Sequence, residues 1–345
     1  MIFTFVIPVA IALSIGIPFL LFYATNNSEL EHPRESISII AVGDSIGYNI
    51  QSEVLSHLTD FINDTDIFIF NLEGVLLDSN QVSGCKGFPE VQSILTSSST
   101  FVEYMKLAPL TVANMANNHV LDCGAAGIEG TKRILSDRGI LSVGAGQNLN
   151  EACEPLLVEV MDRRIAFVSY NFVITEAVSA DTAKAGAASL DSCNHDYYRI
   201  RSDGADIIIA SIHYGIWSGE VNQDQVRLVN KLFDSGVDIV IGHSPHIPQA
   251  VMVKDGKLAF FSLGNFIFRP DYTMPPLAHT TIFPRIDLYA DRIDVTIYPI
   301  IIDDDGIPHI HKGSDIISRI ANASEELNTF LDVRNNLGHI SVSRK

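Results

Sequence analysis

Positive charge is scarce in this chain. Lys and Arg together number 23 against 41 Asp and Glu, a net charge of −18 over 345 residues. So acidic a surface repels phosphate backbones, which argues against nucleic acid as a partner. Cys-x-x-Cys spacing is also missing. The four cysteines are Cys85, Cys123, Cys153 and Cys193, and none has the spacing of a zinc knuckle. In an oxidising compartment Cys85 could pair with Cys123 and Cys153 with Cys193. Other pairings, or four separate small buried residues, are equally compatible with the spacing. There is no internal repeat and no low-complexity tract. Charge is absent altogether from residues 2–24, and no Lys or Arg precedes Arg34.

That uncharged stretch is long enough to span a bilayer as a helix, which takes about 20 apolar residues. A cleaved signal would have a basic start, a shorter apolar run and a small-x-small cleavage site, and Phe22-Tyr23-Ala24 is a poor one. Residues 1–24 therefore read as an uncleaved, single-pass membrane anchor. The expectation is a cell-membrane protein whose folded domain lies outside the cytoplasm. Residues 25–35 read as a linker, 36–302 as the main domain and 303–345 as a polar, peripheral tail.

Hydrophobic residues make up 47% of the chain and charged residues 19%, so the main domain can bury a large core. Short β-branched runs alternate with helical stretches. Strands are expected at 36–42, 66–71, 110–115, 164–170, 206–213, 237–241 and 258–263, with two more within 281–301. Helices are expected at 52–61, 90–104, 125–138 and 223–234. Continuous apolar strands are covered on both faces, and strand-helix alternation predicts an α/β layered domain.

The chemistry sits where these strands end. Gly43-Asp44 follows the first, and Asn71-Leu72-Glu73 the second. Asn117-Asn118-His119 follows the third, with Asp122 and Gly124 just beyond. His213-Tyr214-Gly215 and Gly242-His243-Ser244-Pro245-His246 follow two later ones. Each fragment alone is ordinary turn or cap chemistry. Together they bring carboxylate, amide and imidazole groups to the carboxyl ends of strands, where α/β sheets bind ligands. Mixed oxygen and imidazole donors suit Mn, Fe or Zn rather than Ca. Two carboxylates permit one or two divalent ions, and paired ions are a recurring solution for phosphoester hydrolysis.

In this order, together with Ser262-Leu263-Gly264-Asn265-Phe266, the motifs resemble the CapA family. These are poly-gamma-glutamate capsule biosynthesis proteins of the calcineurin-like metallophosphoesterase superfamily. The resemblance runs from about Ser38 to Phe268. It implies a four-layer α/β/β/α sandwich following the transmembrane helix. It also implies roles: Asp44 and His246 on a first metal, Glu73 bridging, and Asn118, His213 and His243 on a second. His119 becomes the general acid or a phosphate contact, since imidazole exchanges protons near neutrality. Asn117 and Lys86 become candidate substrate contacts, for a phosphoester or an anionic polymer such as poly-gamma-glutamate, handled within a polymer-synthesis complex. Three positions depart from the pattern. Ile46 stands where a His is common, Trp217 where a Glu is common and Ser244 where a His is common. Asn265 reads as structural.

Overall fold

The computed structural model describes residues 35–47, 55, 58–62, 64–78, 85, 94–193, 197–268 and 275–344. The expected anchor at 1–24, nearly all of the linker, and Lys86 lie outside the described residues. Among the described residues, no helix is long and apolar enough to cross a membrane.

Two sheets organise the domain. In the first, Ile37–Ser45, Ile67–Leu72, Leu110–Asn114 and Leu141–Val143 run parallel in that order. Beyond Ile37–Ser45 the sheet turns antiparallel through Thr280–Leu288, Arg292–Ile302 and Leu337–Ser343. In the second, Arg163–Asn171, Ile207–His213, Ile239–His243 and Lys257–Phe260 are parallel neighbours. Leu156–Val160 and Val251–Lys254 flank them antiparallel.

Side chains alternate across a strand, which sorts these apolar runs into layers. Ile39, Ala41, Ile67, Ile69 and Val112 of the first sheet share one core with Ile165, Phe167, Ile207, Ile209, Ile239 and Ile241 of the second. The intervening residues face outward. Ile40, Val42, Phe68 and Phe70 pack with Ile128, Ile134 and Leu135 of the helix Gly124–Asp137. Ala166, Val168, Ile208, Ala210 and Val240 pack with Val229, Leu232 and Phe233 of the helix Gln223–Asp234. The sheets thus face each other with helices on both outer sides, which is why the strands are apolar on both faces.

Two expectations need correction. The segment after 303 is not peripheral. Leu337–Ser343 pairs with Arg292–Ile302, and Ile316, Ile317 and Ile320 of the helix Asp315–Glu325 are buried in the inter-sheet core. Its apolar residues recur at helical spacing, and an amphipathic helix buries such a stripe. The long helix expected over 90–104 is replaced, where described, by a strand at Thr96–Ser98 and a short helix at Phe101–Met105. Ser and Thr residues fill the stretch between Leu95 and Phe101, and hydroxyl side chains compete with helical backbone bonding. Both pairings proposed for the cysteines are present, Cys85–Cys123 and Cys153–Cys193.

Candidate metal centre

The parallel strands of both sheets deliver polar side chains at their carboxyl ends. Asp44 is the second-last residue of Ile37–Ser45, Glu73 directly follows Ile67–Leu72, and His213 and His243 end their strands. Strand register sets Asp44 beside Asn71 and Asn265, and His213 beside His243. The glycines before two of these residues are required by close approach. A Cβ on Gly43 would lie 1.8 Å from the Gly264 carbonyl oxygen, and one on Gly242 2.0 Å from that of Phe261. Only glycine lets backbone pass so near.

One oxygen or nitrogen from each of Asp44, Glu73 and His246 lies within 4.8 Å of the others, the spacing of a site able to hold a metal ion. His246 Nδ1 is 3.2 Å from Asp44 Oδ2, and its Nε2 is 3.7 Å from Glu73 Oε1. His243 Nδ1 lies 3.6 Å from Asp44 Oδ1, and His213 Nε2 3.9 Å from Glu73 Oε1. Asp44, Glu73, His213 and His243 are all buried. Buried polar atoms are normally paired. Here Glu73 Oε2, Asn118 Oδ1 and both ring nitrogens of His243 have no hydrogen-bond partner. Orphaned donor atoms on the rim of a carboxylate-imidazole cluster are what a divalent cation would satisfy, so the residues fit a metal.

The loop after His243 is held in uncommon backbone. Ser244 and His246 have φ of +94° and +57°, a region that residues other than glycine seldom adopt. Ser244 N donates to Asp44 Oδ2 at 3.2 Å, which ties the loop to the first sheet. Trp217 and Phe268 each stand edge-on to the His246 ring, centroids 5.3 Å away.

His119 lies beside this cluster, with its Nδ1 2.9 Å from Asp122 Oδ2. Asp122 Oδ2 also accepts from Leu95 N at 2.6 Å, so the carboxylate is anchored and in turn fixes the ring. Asn117 has both of its side-chain polar atoms engaged within the fold. It is fully buried; its Nδ2 donates to the Leu72 carbonyl at 2.7 Å, and its Oδ1 accepts from His119 N at 3.1 Å. It holds the turn after Leu72 to the turn that carries His119. Asn71 carries no site role in the sequence motifs, yet it is central: its Nδ2 donates to Asp44 Oδ1 at 2.7 Å. Asn265 is also more than structural, its Oδ1 lying 2.8 Å from His246 Nδ1. Asn71 stands two residues before Glu73, whereas no carboxylate or imidazole is near Asn265 in the sequence to mark it.

Burial and charge work against each other in the metal-free cluster. Burial lowers the His213 pKa to about 3 and that of His243 to about 4, so both rings are neutral. Burial raises Glu73 to about 7, with the Asp44 charge adding and the His246 charge opposing. Burial would raise Asp44 too, but the hydrogen bond and charge of His246 hold it well below the usual carboxylate range. For His246 burial is opposed by the charges of Glu73 and Asp44 and by its hydrogen bonds, which push it up to about 9. A raised histidine stabilises the metal-free fold fully below the unfolded value of 6.5 and loses that contribution as pH rises through about 9. A metal must displace this proton. Apparent Mn²⁺ affinity is therefore expected to rise about tenfold per pH unit between neutrality and the His246 pKa, then level off. Calorimetric titration in buffers of different ionisation enthalpy reads the released proton directly; pH-independent affinity over that range would refute it.

A family model described as the bacterial capsule synthesis protein PGA_cap matches residues 25–270. That span is well over half of the chain and contains every residue of the cluster. The chain belongs to the PGA_cap family. Among PGA_cap-like relatives, the capsule biosynthesis protein CapA of Bacillus anthracis is 26% identical over 226 residues, covering 64% of this chain and 54% of that protein. A probable polyglutamine synthesis accessory protein of Mycobacterium tuberculosis is 31% identical over 169 residues, 45% of this chain and 44% of that protein. The chain thus spans about half the length of the curated relatives it matches. A solved structure of a hypothetical protein from Thermus thermophilus overlays with a TM-score of 0.45 at 14% identity, over 90% of this chain and 100% of that one.

The three positions at which the sequence resemblance leads one to expect other residues are placed as follows. Ile46 offers no donor atom and packs against Leu95 and Phe268. Trp217 is 53% exposed and covers His246 from the open side. Ser244 contributes its backbone N–H to Asp44 rather than a ring nitrogen.

Proposed function

We propose that this PGA_cap protein is a metal-dependent hydrolase of phosphoesters acting in capsule or poly-gamma-glutamate assembly, anchored by residues 1–24 outside the cytoplasm. The observation that carries the reading is the buried Asp44-Glu73-His246 cluster ringed by unpartnered donors on His243, Glu73 and Asn118. The two disulfides support an oxidising compartment.

Asp44, Glu73 and His246 would hold the metal, with His243, 3.6 Å from Asp44, and the unpartnered Asn118 Oδ1 as candidates to complete its shell. The donor set suits Mn, Fe or Zn. Such an ion, when bound, supplies Lewis acidity toward a phosphoryl oxygen and lowers the pKa of water. The rest falls to the chain. Asp122 accepts a hydrogen bond from His119 Nδ1–H and orients the ring, so that the imidazolium form can pass its Nε2 proton to the departing oxygen and return to the neutral ring. Trp217 and Phe268 keep water from the His246 face. The acidic surface is unsuited to broad polyanion binding, so recognition is confined to the metal and its rim.

His119→Asn is expected to lower kcat on a model phosphodiester by about 10²–10⁴-fold, the usual contribution of a positioned acid, without changing metal content. Release of the phenol or alcohol leaving group is measured with Mn²⁺, Zn²⁺ and Fe²⁺ supplied in turn. Full loading without turnover by the wild-type chain would sink the hydrolase reading. That outcome would favour a non-catalytic assembly or export factor for an anionic polymer. The missing donor at Ile46 and the word accessory in the mycobacterial relative's name both point that way.

A further inference from the structure

We infer that His213 is a hydrogen-bond donor into the metal site and not a metal ligand, because Asn71 fixes the tautomer of its ring. The inference rests on the reading that a metal is held by Asp44, Glu73 and His246. It begins with the orientation of the Asn71 amide, which its neighbours leave no freedom. Its Oδ1 accepts from Asn114 Nδ2 at 2.8 Å and from Asn117 Nδ2 at 3.4 Å. Asn117 is itself oriented, since its Nδ2 also donates to the Leu72 carbonyl. On the other side Asn71 faces Asp44 Oδ1, an ionised carboxylate oxygen that can only accept. A flipped amide would set donor against donor on one side and acceptor against acceptor on the other.

The Asn71 Nδ2 that meets Asp44 also lies 3.3 Å from His213 Nδ1. An amide NH₂ has two protons and no acceptor, so His213 Nδ1 must present its lone pair there. The ring proton then sits on Nε2, the nitrogen that faces Glu73 Oε1 at 3.9 Å. A protonated Nε2 has no lone pair for a cation. It can donate to an anionic oxygen, on Glu73 or on a bound substrate.

His246 shows the opposite arrangement in the same site. Its Nδ1 faces two acceptors, Asp44 Oδ2 at 3.2 Å and Asn265 Oδ1 at 2.8 Å. Asn265 is locked with Oδ1 inward because its Nδ2 donates to the Ala278 carbonyl at 3.2 Å. His246 therefore carries its proton on Nδ1 once metal is bound, and Nε2 is left with the lone pair. The partner on one ring nitrogen decides what the other can do. With His213 withdrawn and Ile46 lacking a donor, the remaining groups suffice for one ion per chain.

The test uses the full chain labelled with ¹⁵N histidine. In the metal-free protein, His213 is expected to show a pyridine-type Nδ1 and a pyrrole-type Nε2. Asn71→Ala is expected to release that preference and mix the two tautomers. In Mn²⁺ titrations, His213→Gln is expected to lose no more than the roughly 10–100-fold of a supporting residue, with one ion bound, while His246→Gln loses more than about 100-fold. A pyridine-type Nε2 in wild type, or a loss in His213→Gln equal to that in His246→Gln, would overturn the inference. Should wild type bind no Mn²⁺, the metal reading fails, while the ring spectra still decide the tautomer.

Discussion

Asp44→Asn is expected to strip the chain of its metal and to weaken the fold as well. Asp44 is fully buried and its carboxylate is tied to both sheets. Its Oδ1 accepts from Asn71 Nδ2 and its Oδ2 from Ser244 N, while His246 and His243 stand against the two oxygens. An asparagine there must turn its NH₂ toward one of two donors. A buried donor left facing a donor costs about 1–3 kcal/mol, a melting-temperature fall on the order of 2–10 °C for a chain of this size. The substitution removes the charge that holds the cation and leaves only a weaker amide oxygen, so Mn²⁺ affinity should drop by more than about 100-fold, beyond what loss of a supporting residue does. Glu73→Gln separates the two effects. Glu73 Oε2 has no partner to lose, so this variant should lose metal with a smaller stability change. Elemental analysis and thermal melts on the two variants decide the matter. Retention of tight metal by either would remove that residue from the ligand set.

Breaking the disulfides is the second large effect, and the two bridges should differ in kind. Cys85–Cys123 and Cys153–Cys193 join residues 38 and 40 positions apart. The chain-entropy model assigns each about 4 kcal/mol, an upper value because reduced chains keep some structure. Each paired Cys→Ser replacement should therefore lower the melting temperature by on the order of 10 °C. Cys123 directly follows Asp122, which holds the His119 ring, and precedes the helix Gly124–Asp137. Loss of that bridge should also loosen His119 and reduce turnover. Cys153 and Cys193 follow or end two short helices on the outer side of the second sheet, so their loss should leave kcat and metal content unchanged. Equal effects of both pairs on turnover would show that the first bridge has no special hold on His119.

Much of this site was legible because strand ends are local. An apolar β-branched run followed by Gly-Asp or Gly-His marks both the strand and the group it presents, and Asp44, Glu73, His213, His243 and His246 follow from that. The glycines were visible as well, though only the 1.8 Å and 2.0 Å approaches to Gly264 and Phe261 explain why no other residue serves. Asn71 and Asn265 were not legible as site residues. An amide in a strand-end motif is indistinguishable from turn chemistry until its partners are known, and those partners lie far along the chain. The helix Asp315–Glu325 escapes a sequence reading for a related reason: isoleucines in a polar stretch reveal their burial only when a sheet surface is there to receive them.

The sequence by itself determined that carboxylates and imidazoles stand at the ends of buried parallel strands, since period, length and glycine placement are properties of contiguous residues. Tertiary structure alone decided which of them meet. Asp44 and His246 lie far apart along the chain and touch only because the two sheets pack face to face. That same packing set an amide donor against His213 and amide and carboxylate acceptors against His246. Hydrogen-bond direction, which no residue carries alone, thereby gave two chemically identical side chains different tasks.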